Sequence, residues 1–281
     1  MGVEKSLRRS LADSGVRAVG LSLEWLTVRS PGYVDPGFYS DAGTVELTGS
    51  GRMARRTGAW QLDAHATAAL GYMYPSAAAV GLNAQGYFRG TLSASARRPI
   101  GGAVTIGARG YAGAALASEP VVRQRQIYLA GSDPYQQFAD PFLRSRGSIF
   151  RLDGVNYQSP GGADVRGLAP TLSAGQAYGI NLEVERSFFQ SPGGFVRRVA
   201  LAVFTDGVVA NGDLDTSGGN ALTGAADAGL GIRFGLVTAK TPFELRFDMP
   251  LWVSAPALAQ DTGPGADAVG FRWTFSLSPV F

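Results

Sequence analysis

Few residues of this chain have both the type and the setting for chemistry. The foremost is Arg166, which follows a glycine-rich turn in the run Gly161-Gly162-Ala163-Asp164-Val165-Arg166-Gly167. A guanidinium drawn out of water needs carboxylates in a bidentate arrangement, because an unpaired buried charge is strongly unfavourable. His65 is the only histidine, with Asp63 and Thr67 two residues away on either side and Ser93 and Ser95 on the next stretch. Acyl transfer needs a nucleophile, a base and an orienting group in one constellation. No motif assembles one here, so His65 is expected to be a polar wall residue. Asp133, Asp140, Asp153, Asp213 and Asp215 lack a regular cation-ligand spacing. The pairs Gly101-Gly102 and Gly218-Gly219 lack the helix and the Lys-Ser/Thr of a phosphate cradle. With no cysteine, thiolate metal sites and disulfides are excluded. The expectation is therefore a chain that is not an enzyme, with no metal and no cofactor.

The elements that position these residues read as strands. Val269, Phe271, Trp273, Phe275, Leu277 and Phe281 alternate with Gly270, Arg272, Thr274, Ser276 and Ser278. The same period of two runs through Val19–Trp25, Thr44–Met53, Trp60–Tyr72, Gln85–Ser93, Val104–Tyr111, Tyr178–Glu185, Phe195–Val203, Ala228–Leu236 and Glu244–Val253. That makes ten strands. Many are longer than the ~5–6 residues usual in soluble sheets and long enough for the ~9–11 residues that cross a hydrocarbon core on a tilt. Connections alternate long and short, as in up-and-down barrels of outer membranes. Aromatic residues stand near strand ends (Trp25, Trp60, Tyr72, Tyr74, Phe188, Phe189 and Trp252), where a membrane-interface girdle would lie. The predicted fold is an all-β, antiparallel, transmembrane up-and-down β-barrel over residues 16–281, with a long loop at 117–171. Val3, Leu7 and Leu11, four apart, predict a short helix or cap over residues 1–15.

Composition agrees. The 281 residues include 39 glycines, and only 17% are charged. Mean hydropathy is +0.04, and no apolar run is long enough for a membrane helix. Arginines are scattered rather than clustered and the net charge is only +3, so no nucleic-acid partner is expected. Arg55, Arg56, Arg97, Arg98 and Lys240 fall in the short turns, where they could meet acidic headgroups. The expected partner is a lipid bilayer, and the expected location is the bacterial outer membrane. Residues 1–20 hold no secretory signal, so export implies a leader already removed or a longer chain.

Four stretches carry a resemblance. They are the Gly161–Gly167 run, Gly175–Glu185 with Leu182-Glu183, Phe204-Thr205-Asp206-Gly207, and Gly229-Leu230-Gly231-Ile232-Arg233 followed by Thr241-Pro242 and Leu245-Arg246-Phe247-Asp248. In this order and spacing, Arg125 to Phe281 resembles the bacterial surface antigen superfamily, which holds the outer-membrane insertase and two-partner-secretion transporter barrels. Leu168 stands where that family usually has an aromatic residue. The resemblance implies that Val165, Arg166 and Gly167 form the tip of an inward-folded loop, with Arg166 paired to Glu183 and Asp206 on the wall. It implies a role in inserting or translocating polypeptides, so that a polypeptide would be the substrate. It also implies that the closing strand, with Phe271, Trp273, Phe275 and Phe281, is read by the barrel assembly machinery. The family barrel has sixteen strands, so the resemblance implies either the terminal part of a larger barrel or a reduced member. The alternative function is a small pore or structural anchor without insertase activity.

Overall fold

The computed structural model describes residues 2–7, 15–27, 39–75, 83–131, 161–211, 222–238, 241–259 and 267–279. One antiparallel sheet dominates. Its strands are β1 (Gly2–Leu7), β2 (Gly15–Thr27), β3 (Ala42–Thr57), β4 (Trp60–Pro75), β5 (Gln85–Ile100), β6 (Val104–Leu116), β9 (Gln176–Gln190), β10 (Val196–Asn211), β11 (Leu222–Thr238), β12 (Thr241–Val253) and β13 (Thr274–Pro279). Two short strands, β7 (Ile127–Tyr128) and β8 (Ser173–Ala174), pair with each other inside the long β6–β9 connection. Neighbours in the large sheet are neighbours in sequence once that connection is skipped, so it is an up-and-down meander with β1 and β13 at its edges.

All ten strands expected from the alternation are present, as β2–β6 and β9–β13. The helix expected near the N-terminus is not what Gly2–Leu7 forms. These residues make β1, paired to β2 from Gly2 opposite Ser22 to Leu7 opposite Arg17. Val3 and Leu7 satisfy a period of two as well as one of four, and the free edge of β2 offers the backbone partners that a short isolated helix lacks.

The strands are kept in register by tight turns at one end. Gly58 turns Thr57 back to Trp60 at φ +58, and Gly101 does the same between β5 and β6 at φ +67. Glycine enters this left-handed region without a Cβ penalty. At the other end the connections are long.

The two faces differ sharply. Val19, Leu21, Leu23 and Trp25 on β2, Leu70 and Tyr72 on β4, Tyr178 to Val184 at alternate positions on β9, and Leu201 and Val203 on β10 all stand exposed on the outer face. Trp25 is 76% exposed, and its indole N–H donates to Tyr74 Oη at 2.6 Å. The alternate positions point inward and carry most of the buried charge.

Pro250 breaks this rhythm. The pairing of β11 with β12 shifts by one residue between Ala228 and Gly229, opposite Trp252 and Pro250. On the other side, β13 begins only at Thr274, although Val269 still bridges Trp252. Proline has no N–H for the ladder, so the extra residue is accommodated there as a bulge. The bulge reverses the expected side of Val253, which turns inward to 0% exposure rather than joining the outer face. The closing strand is accordingly shorter than the alternation predicts.

The long connection, in its described residues 117–131 and 161–175, folds back onto the inner face. Its backbone is tied by Val165 N–H to Leu129 O (2.9 Å), Ala163 N–H to Tyr128 O (3.1 Å) and Leu129 N–H to Leu172 O (3.1 Å). Val122, Ile127, Leu129, Val165 and Leu168 form its apolar centre, packed with Met73, Ala177 and Val208 of the sheet. This plug touches side chains from β2 to β12, so the sheet curls around it.

Candidate functional site

Arg166 leaves the plug and enters the inner face of the sheet, where it is 3% exposed. Three features aim it. Gly162, at φ +52, lets the chain turn where a Cβ would strike the carbonyls of Gly131 and Tyr128. Ala163 lies against Gly179 of β9, where a Cβ would stand 3.1 Å away, so the plug can approach the wall closely. Beyond the arginine, Gly167 N–H donates to Asp227 of β11 at 2.5 Å. A Cβ at Gly167 would lie 2.6 Å from Val253 Cγ1, the side chain that the Pro250 bulge turns inward.

The guanidinium meets three strands. Its Nε and Nη2 donate to the two oxygens of Asp206 on β10, at 2.8 and 3.0 Å. Its Nη1 donates to Glu183 Oε2 on β9 at 2.8 Å and to Asp248 Oδ1 on β12 at 3.2 Å. The Phe204 ring lies 3.6 Å from the guanidinium carbon, adding a cation–π contact. Burial works against the charge of Arg166. The carboxylates of Asp206, Asp248 and Glu183 outweigh it and hold the group firmly protonated.

The sequence reading named Val165, Arg166, Gly167, Glu183 and Asp206, and the structure brings these five together. It adds partners from the inward faces of neighbouring strands. Arg233 of β11 donates to both oxygens of Glu183, at 3.2 and 2.6 Å, and lies 2.7 Å from Asp248. Arg246 of β12 approaches Asp248 at 3.5 Å, Glu183 at 3.7 Å and Asp164 at 3.9 Å. Asn181 donates to Asp206 Oδ1 at 3.1 Å and to the backbone of Asp164 at 2.9 Å. Arg109 of β6 completes the ring, donating to Gly162 O at 2.6 Å and Asn181 Oδ1 at 2.9 Å. Asp164 itself sits at φ +55, a region that aspartate enters more readily than most residues. Burial pushes its carboxyl above the ordinary range, against the pull of Arg246, Arg109 and Arg166.

No known family model and no curated protein matches the chain. Four charge-assisted bonds to three carboxylates fix one guanidinium, which ties the plug to β9, β10 and β12.

A second buried arginine of the plug is not marked by any motif in the sequence. Arg125, in a 3-10 turn of the plug, is 1% exposed. It donates to Glu24 Oε2 of β2 at 3.1 Å, Thr44 Oγ1 of β3 at 3.1 Å and Glu46 Oε1 of β3 at 3.4 Å. Glu46 also receives Arg89 of β5 at 3.1 Å and the Tyr87 hydroxyl at 3.0 Å. The available signal was Glu46 itself, an acid among Thr44, Thr48 and Ser50 on an inward face, where it requires a cation.

The remaining candidates separate. Ser93 lies directly opposite His65 across the β4–β5 ladder. Asp63, which would have to orient the histidine, is held instead by Arg52 at 3.0 Å. Asp133, Asp140, Asp153, Asp213 and Asp215 lie outside the described residues, and among the described residues no group of acids or histidine is arranged to hold a metal. Phe271 is exposed, whereas Trp273 stacks between Phe247 (5.8 Å) and Phe275 (6.4 Å). Phe281 lies outside the described residues.

Proposed function

We propose that this chain is a transmembrane β-barrel protein of the bacterial outer membrane that assists the insertion or translocation of other polypeptides, with its plug braced by Arg166. The observation that carries the reading is the placement of Arg166. A loop arginine, buried against Glu183 and Asp206 on the inner wall, is the arrangement implied by the family resemblance. The outer face supports the membrane part. Its leucines, valines and aromatics stand exposed on one neighbouring strand after another, and a contiguous exposed apolar face marks a membrane or interaction surface. They alternate with inward charges, as lipid on one side and water on the other demand. Among the described residues no helix is long and apolar enough to cross a membrane.

In this reading the bilayer is the immediate partner, the assembly machinery receives the closing strand, and a polypeptide is the substrate. The plug holds the inner face while the edges of the sheet meet the client. The inner face is occupied by the plug, which disfavours a wide diffusion pore.

The test is reconstitution in liposomes. An unfolded second outer-membrane barrel is added, and its folding is followed by the shift in gel mobility. The proposal expects faster client folding with wild-type protein than with empty liposomes, and loss of the gain in Arg166→Ala. Full membrane incorporation without any acceleration would leave the anchor or small-pore alternative, and bilayer conductance would then separate those two.

A further inference from the structure

Among the described residues, the outer face carries arginine only towards the end where the turns are tight. Arg55 on β3, Arg98 on β5 and Arg186 on β9 are all exposed there. Their ladder partners fix the face. Arg55 stands opposite Leu62, Arg98 opposite Ile106, and Arg186 opposite both Val104 and Leu201. Residues directly opposite one another share a face, and Leu62 and Leu201 are exposed on the outer one. Thr57 and Ile100, the last paired residues of β3 and β5, lie two residues beyond Arg55 and Arg98.

These arginines differ from those facing inward. Arg97 turns to the inner side and meets Glu185 at 3.4 Å, and Arg52 meets Asp63 at 3.0 Å. From β2 to β12 no aspartate or glutamate among the described residues takes an outer-face position. Arg98 lies instead over the Trp60 ring, 5.3 Å from its centroid. At the opposite end the outer face finishes in Trp25, Tyr72 and Tyr74 without an arginine. The depth is also informative. Val45 to Arg55 and Phe88 to Arg98 are each ten residues on one face, which is about 33 Å along a strand. At a strand tilt of roughly 40° this spans about 25 Å of depth, the height of the apolar band of an outer-membrane barrel. The guanidiniums therefore stand at headgroup level, with their stems along the apolar band.

We propose that this rim is a binding belt for anionic phospholipid, in which Arg55, Arg98 and Arg186 each donate to the phosphodiester of a separate headgroup. The inference rests on the membrane reading above and on no role in protein insertion. The guanidinium fork matches phosphate oxygens. A zwitterionic headgroup would bring its ammonium to a belt with no carboxylate to receive it, so headgroups of net negative charge are favoured. An arginine near a membrane surface strengthens association with anionic lipid by roughly fivefold.

The selectivity of spin-labelled lipids tests this. The full chain is reconstituted in phosphatidylcholine bilayers that hold a trace of spin-labelled phosphatidylglycerol or spin-labelled phosphatidylcholine. Lipid held against the protein gives a motionally restricted spectrum, and its share reads the relative affinity. The expected result is a preference of roughly twofold for phosphatidylglycerol, because three sites are averaged with the rest of the lipid shell. The combined variant Arg55→Gln, Arg98→Gln, Arg186→Gln should lose it. If that variant does not fold, sodium chloride at about 1 M, where the Debye length is about 3 Å, should diminish the wild-type preference. Restricted lipid without any preference, or a preference undiminished in the folded variant or in high salt, overturns the belt and leaves the membrane reading standing. No restricted lipid of either kind overturns the membrane reading and the belt with it.

Discussion

Replacing Arg166 by alanine removes four side-chain hydrogen bonds to three carboxylates, and the loss falls unequally. Glu183 keeps Arg233 on both oxygens, and Asp248 keeps Arg233 at 2.7 Å. Asp206 is different. Among the described residues no other cation pairs with it, and it retains the Asn181 amide at 3.1 Å and the backbone N–H of residue 166 at 3.4 Å. Breaking a buried ion pair by removing one partner typically costs about 3–5 kcal/mol, because the other charge is stranded. Most of that cost should sit on Asp206. Arg166→Ala combined with Asp206→Asn removes the stranded charge and should leave only lost hydrogen bonds and packing, about 1–2 kcal/mol. Arg166→Lys should recover only part of the loss, since an ammonium cannot span both oxygens of Asp206 in the same fork. The assay is urea unfolding in detergent micelles, followed by tryptophan fluorescence, for wild type, both single variants and the double variant. A double variant more stable than Arg166→Ala supports the pairing. Strict additivity, or Arg166→Ala unfolding at the wild-type midpoint, would refute the reasoning.

Other consequences follow from the same contacts. Arg125→Ala should destabilise less than Arg166→Ala, by about 1–3 kcal/mol, because Glu46 keeps Arg89 and Tyr87; the same urea titration ranks the two. Asp164 has its folded-state pKa raised, so its contribution to stability is present below its unfolded pKa and lost as pH rises through the folded one. Asp164→Asn should therefore be more stable than wild type at neutral pH, with the difference vanishing in acid; midpoints measured from pH 3 to pH 8 check this. Leu182→Arg, at a position 43% exposed on the outer face, should cost about 2–4 kcal/mol if that face meets the bilayer midplane. The same change on a water-facing sheet would be nearly neutral, and unfolding from liposomes distinguishes the two.

Much of the sheet was legible because a strand's period of two is written directly in residue type. Val19 to Trp25 and Tyr178 to Val184 needed no tertiary information. Gly2–Leu7 was misread because Val3 and Leu7 fit two periods, and only the open edge of β2 decides between them. The inward turn of Val253 was hidden because one bulge at Pro250 reverses every later side, and nothing local marks its direction. At the site, Arg166, Glu183 and Asp206 could be named from motif resemblance. Arg233, Arg246 and Asp248 could be placed on inward faces but not joined to them. Their meeting depends on the relative heights of β9 to β12, a register set by pairing across several hairpins. Arg125 was least visible, because a loop arginine is ordinarily solvated and its acids Glu24 and Glu46 lie about 80–100 residues earlier.

The central claim is that the outer face of this sheet meets lipid while the plug side does not. The chain has no cysteine, so a thiol introduced singly at Leu182, Val184, Leu201 or Val203 takes a nitroxide label at that site alone. In liposomes, labels at these four positions should collide with lipid-soluble oxygen far more than with a water-soluble nickel complex. A label at Gly193, in the exposed turn between β9 and β10, should show the reverse. Equal access of the nickel complex to the four strand positions and to Gly193 would contradict the account.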